Sequence, residues 1–142
     1  MEEKFEFASD AWIAKLKQLI VKYAAEAGPD TNLTICEVFN KVPKNLDKHG
    51  TGTLAWHCIV ENGKLVKFEE TPIDVADVRT EHDYDFVLPI ARKVYTPEGM
   101  AEVNAYMEQG IKEGRSRTTS RDRSKVPASF VGMHNDIALL TL

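Results

Sequence analysis

The pair Asn62-Gly63 stands between two β-rich runs, LAWHCIV before it and KLVKFEE after it, and restricts the fold more than any other feature. A two-residue turn that matches the twist of its flanking strands needs positive φ at both central positions, which Asn and Gly tolerate best. An antiparallel hairpin is therefore predicted. On its first arm Leu54, Trp56, Cys58 and Val60 share one face, and Ala55, His57 and Ile59 the other. On the second arm Val66 and Phe68 fall on one side and Leu65 on the other. Ile73 to Thr80 reads as a further strand. Asp83 is then placed to cap a helix whose apolar face is Phe86, Val87, Ile90, Ala91 and Val94, with Pro89 expected to kink or divide it.

The rest of the chain can pack around that unit. Ser9 is a good N-cap and Asp10 suits the first turn of a helix. Trp12, Leu16, Leu19, Tyr23 and Ala27 recur at spacings of three and four, and Gly28-Pro29 ends the pattern. Thr31 to Phe39 is apolar on both faces, as in a strand covered on more than one side. Thr96-Pro97-Glu98 is a fresh helix start, followed by the stripe Met100, Val103, Met107 and Ile111. Residues 112–125 carry six basic and two acidic side chains and nothing apolar, which predicts an exposed basic loop. Val126 to Val131 reads as a last edge strand. A short closing helix should follow Gly132, capped by Asn135 or Asp136. With no internal repeat, 142 residues make one α+β domain, 1–142.

Composition narrows the function classes. A net charge of -4 argues against a general nucleic-acid binder. No apolar run approaches the ~18 residues of a spanning helix. MEEKFEFASD is acidic and has no apolar stretch of signal-peptide type, so a cytoplasmic location is expected. Cys36 and Cys58 lack metal-ligand spacing and are expected as small buried thiols, with a cross-strand disulfide as the alternative.

Several local words then resemble a known family. They are Trp56 with Asn62-Gly63-Lys64 in the hairpin, Ala76-Asp77-Val78 leading into Asp83-Tyr84-Asp85, and the ending from Gly132 through DIALLTL. Together they resemble the sterol carrier protein type 2 family, over most of the chain from Trp12 to Leu142. The resemblance implies a five-stranded, mainly antiparallel sheet covered by helices, with an apolar tunnel between the two layers. It also implies binding of sterols, fatty acids or acyl esters without chemistry. Two features depart from the family pattern: the basic segment 112–125, and Phe130, Met133 and His134 ahead of the closing helix.

A lipid site needs a concave apolar lining with few orienting polar groups. Trp56, Phe68, Phe86, Ile90, Met107, Phe130 and Met133 are the candidate lining residues, although stripes of this kind are ordinarily core. The polar candidates are His57, His82, His134, Glu37, Tyr84 and Tyr106. Were His57 to share a sheet face with Glu37, the carboxylate would orient its imidazole as an acid/base pair for a small lyase, hydratase or isomerase. A surface histidine is the ordinary alternative. His82, beside Asp83, reads as a neighbour of the helix cap. No phosphate loop, nucleophile elbow or metal motif occurs, so no cofactor is expected. Arg115, Arg117, Arg121 and Arg123 are candidates for an anionic head group or membrane surface, or else for a solvated loop. Carriage of an apolar or amphipathic small molecule is the leading expectation, a small cofactor-independent enzyme the second, and a ligand-free homo-oligomer the third.

Overall fold

A computed structural model describes residues 3–142, apart from the side chains of Arg121 and Arg123. The first helix, α1 (Asp10–Ala27), starts where the sequence predicts: Ser9 Oγ accepts the Trp12 backbone N–H at 3.3 Å. It stops at Gly28, whose φ of 99° takes the chain out of the helix. The strands are β1 (Leu33–Asn40), β2 (Thr53–Glu61), β3 (Lys64–Glu69), β4 (Val78–Asp83) and β5 (Ser116–Arg121), in the order β3-β2-β1-β4-β5. Within that sheet only the β1–β4 pairing is parallel, so the five strands are mainly antiparallel, as expected. Asn62 and Gly63 form the β2–β3 turn with φ of 55° and 76°.

Helices lie on one face of this sheet. They are α1, α2 (Tyr84–Ala91), α3 (Met100–Lys112) and α4 (Phe130–Leu139). The closest helix–sheet packing is at the flanks, with α1 on β3, α2 on β4 and α3 on β5. The inner face contributes Leu33, Phe39, Leu54, Trp56, Cys58 and Val60 to one apolar core. The outer face is covered by the β3–β4 connection, where Ile73 and Ala76 pack on Cys36, Val38 and Ala55.

Several expectations are corrected. The strand expected over Ile73 to Thr80 begins only at Val78, because the preceding residues cross the outer face. There the Asp77 carboxylate takes the Thr34 N–H at 2.9 Å. A bulge between Ile59 and Val60 reorders the hairpin, so Leu65 and Phe68 both reach the core while Val66 stays exposed. Pro89 does not divide α2; it falls near the end, where the helix stops two residues later. Asp83 flanks α2 without a side-chain cap and instead pairs with Lys41 at 3.3 Å. Thr96 caps a turn rather than a helix: its Oγ1 takes the Gly99 N–H at 3.0 Å, and α3 begins at Met100.

The C-terminal third departs furthest. The stretch expected as an exposed basic loop supplies edge strand β5, and the strand expected over Val126 to Val131 is absent. Thr and Ser suit a strand that is wet on one side, and Ser116 answers buried His82, Oγ to Nδ1 at 2.8 Å. Phe130 belongs to α4, which starts three residues before Met133 and follows Ser129 rather than Asn135 or Asp136.

Candidate ligand site on the inner face of the sheet

Strand β1 runs through the middle of the sheet with Leu33, Ile35 and Phe39 directed at the helices. Alternation puts Glu37 on that same face. Its register partners are Trp56 on β2 and Thr80 on β4. A carboxyl group thus stands amid apolar side chains at the centre of the inner face. Among the described residues no hydrogen bond or ion pair reaches it. Burial pushes its pKa up to about 7, since the charged form loses hydration without gaining a partner.

Trp56 is only 2% exposed and stacks on Phe68, ring centroids 5.6 Å apart. Its indole Nε1–H is buried without an acceptor among the described residues. Buried donors of this kind are nearly always paired, because an unmade hydrogen bond costs about 1–3 kcal/mol. Trp12 shows the ordinary solution, donating to Thr141 Oγ1 at 2.9 Å. Half-buried Glu37, with no protein partner among the described residues, and the buried Trp56 N–H thus stand on neighbouring strands of one apolar face.

Part of the surface beside them stays accessible. Ile35 and Glu37 on β1, and Val78 and Thr80 on β4, stay half-buried although they lie on the helix-covered face. Their flanks, Leu33, Phe39, Trp56 and Cys58, are fully buried. The half-open patch lies between the α1 flank and the α2–α3 flank. Two grooves open elsewhere at the surface, and neither is lined by Glu37 or Trp56. One of about 350 Å³ lies between α1 and β3, lined by Ile13, Ala14, Lys17, Phe68, Glu70 and Asp10. The other, about 340 Å³, lies between α2 and α3, with Ile90, Val103 and Tyr106 as its apolar floor.

The expected lining residues are distributed over these features. Phe68 stands between the α1–β3 groove and Trp56, and Ile90 lies in the α2–α3 groove. Phe86 stacks on Tyr106 at 4.7 Å, and the Tyr106 hydroxyl donates to the Phe86 carbonyl at 2.7 Å. Phe130 is buried core, and Met107 and Met133 are half-buried against it.

The acid/base pair expected of His57 and Glu37 is not formed. The register sets His57 opposite Cys36 and Glu37 opposite Trp56, so the two point to opposite faces of the sheet. His57 lies under the β3–β4 connection, where Nδ1 donates to the Thr71 carbonyl at 2.5 Å and Nε2 has no partner among the described residues. His134 donates from Nε2 to the Lys93 carbonyl at 2.8 Å and stacks on Tyr95, holding α4 to the α2–α3 link. His82, expected as a cap neighbour, is a buried base whose pKa burial lowers to about 4.

Cys36 and Cys58 are free thiols on opposite faces, which rules out a bridge between them. Burial pushes the Cys58 thiol up to about 12. The arginines do not act as one cluster. Arg115 lies over the Phe86 ring at 5.2 Å, while Arg117 pairs with Glu81, Nε to Oε2 at 2.7 Å, on the other side of the sheet. Arg121 and Arg123 lie outside the described side chains. Among the described residues no group of three or more His, Cys, Asp or Glu is placed to hold a metal.

Sequence reasoning named Glu37 only as a partner for His57 and left the Trp56 N–H unexamined. The signal for Glu37 was present: in Leu33-x-Ile35-x-Glu37-x-Phe39 it takes an otherwise apolar position. For Trp56 there was none, because every tryptophan carries the same donor.

No family model matches the sequence, and neither does any curated protein. Solved structures do match in fold. The chain is similar to a conserved hypothetical protein from Thermus thermophilus, with a TM-score of 0.56 and 12% identity over 96% of this chain and 90% of that one. It is also similar to sterol carrier protein 2, with a TM-score of 0.54 and 12% identity over 95% and 96%. The fold is thus that of sterol carrier protein 2. Among the described residues no helix is long and apolar enough to cross a membrane.

Proposed function

We propose that this protein binds and carries an apolar or amphipathic small molecule between the inner face of its sheet and its helices. The carrying observation is the half-buried patch at Ile35, Glu37, Val78 and Thr80, beside fully buried Phe39, Trp56 and Cys58 on the helix-covered face. A fold shared with sterol carrier protein 2 supports the same reading. Trp56, Phe68, Phe86, Ile90, Met107, Phe130 and Met133 are the apolar side chains proposed to rearrange around the guest. Methionines adapt to varied shapes at low cost. Phe68, between the α1–β3 groove and Trp56, is the proposed point of entry.

The mechanism is sequestration rather than chemistry. Burying ~300 Å² of ligand surface at ~25 cal/mol/Å² yields on the order of 7 kcal/mol before association costs. The surplus over those costs sets how tightly the lipid is held and how readily it leaves. Native mass spectrometry of freshly purified protein, followed by displacement of a fluorescent fatty-acyl or sterol probe, tests the reading. A copurifying apolar mass and saturable displacement are expected. Protein that carries no such mass and binds no probe would refute it.

A further inference from the structure

We infer that Glu37 and Trp56 form a head-group anchor that selects a hydroxyl-bearing amphiphile; this rests on the binding reading above and adds the ligand's polar end. The two are register partners on adjacent antiparallel strands, so their Cα atoms lie ~4.5–5.5 Å apart with side chains on one face. A single small group can touch both.

While Glu37 is ionised, the chemistry of the pair disfavours most head groups. Trp56 Nε1 is a donor only and needs an acceptor. Glu37, when ionised, is an acceptor only and needs a donor. An ammonium answers Glu37 and leaves the indole unpaired. An ether or ester oxygen answers the indole and gives the carboxylate nothing. A fatty-acid carboxylate places like charges together in an apolar surround. A hydroxyl accepts from the indole and donates to the carboxylate with one oxygen. It also suits Glu37 in its protonated form, which both donates and accepts. Among the described residues nothing else answers these two groups. Cys58, the inner-face neighbour of Trp56 on β2, keeps its proton and competes for neither.

Matched probes of one chain length test the anchor: dodecan-1-ol, its methyl-ether isostere 1-methoxyundecane, and dodecanoic acid. Each is titrated against the protein at about pH 9, where Glu37 is ionised, by calorimetry or probe displacement. The wild-type protein should prefer the alcohol to the ether by on the order of tenfold, the equivalent of one net hydrogen bond. Glu37→Leu should bring that ratio to about one, and Glu37→Gln, whose amide carbonyl still accepts, should retain part of it.

A second readout needs no substitution at all. The chain has two tryptophans, and among the described residues only Trp12 has its indole N–H bonded. In a ¹⁵N-correlated spectrum the Trp56 indole proton should move downfield with dodecan-1-ol while the Trp12 signal stays in place. Equal binding of alcohol, ether and acid, with an unmoved Trp56 signal, would overturn the anchor and leave the carrier reading intact. No binding of any of the three would overturn both.

Discussion

Trp12 donates its indole N–H to Thr141 Oγ1 across 2.9 Å, tying the first turn of α1 to the residues just after α4. Thr141 Oγ1 in turn donates to the Ile137 carbonyl at 2.7 Å. The Phe5 backbone closes the same seam, donating to Leu140 O at 2.7 Å and accepting from Leu142 N at 2.9 Å. Thr141→Val keeps the shape but strands the buried indole N–H. Equilibrium denaturant unfolding should show a loss of about 1–3 kcal/mol. Trp12→Phe removes the donor together with packing against Phe7, and the double variant should be less than additive. Full additivity would mean that the bond contributes nothing.

Gly110 of α3 lies flat against Phe86 of α2. A Cβ at that position would stand 2.0 Å from the ring. Alanine ordinarily favours a helix over glycine by ~1 kcal/mol, yet here the clash should win. Gly110→Ala is expected to destabilise by about 1–3 kcal/mol, and Phe86→Leu should relieve part of that loss in the double variant. A Gly110→Ala protein that melts higher than wild type would show that α2 and α3 separate freely.

Gly63 combines a positive φ with a close approach: a Cβ would sit 2.5 Å from the Gly28 carbonyl oxygen. Its own N–H donates to Thr31 O at 2.9 Å, so the hairpin turn is braced against the end of α1. Gly63→Ala should cost more than the ~1 kcal/mol of an exposed left-handed position. A melting midpoint within a degree of wild type would contradict that bracing.

Glu37, half-buried, and His82, buried, oppose each other in pH. Glu37 has its pKa raised from 4.5 to about 7, so the folded state holds a proton that the unfolded chain releases. Its contribution is full below pH 4.5 and is lost as pH rises towards 7. His82 has its pKa lowered from 6.5 to about 4, so the unfolded chain takes up a proton that the folded state refuses. Its contribution is full above pH 6.5 and is lost as pH falls towards 4. Each amounts to about 3 kcal/mol at most. Relative to wild type, Glu37→Gln should therefore gain stability as pH rises from 4.5 to 7. His82→Gln should gain as pH falls from 6.5 to 4. Thermal melts of the three proteins across that range decide the matter, and parallel curves would refute both assignments.

Much of this architecture can be read locally. The Ser9 and Gly28 boundaries, the Asn62-Gly63 turn and the apolar stripe of α1 follow from properties of single residues or of neighbours three and four apart. Those properties act before any tertiary contact forms. Edge strand β5 is a different case. Its Ser-Arg-Thr-Thr-Ser-Arg run carries no apolar alternation, and it becomes a strand because β4 offers an unpaired edge and His82 offers Ser116 a partner. With that edge filled, Val126 to Val131 has no ladder to join, and Phe130 turns into the core on α4 instead.

The candidate site divides the same way. The order of residues along β1 is enough to bring Glu37 into phase with Leu33, Ile35 and Phe39, since strand periodicity is a property of consecutive positions. Folding chose Trp56 as its neighbour over His57. That choice belongs to the β1–β2 register, and a shift of one residue would have exchanged the two. Folding likewise gave one tryptophan N–H a threonine and the other nothing, because hydrogen-bond satisfaction depends on which distant groups the packed chain brings within about 3 Å.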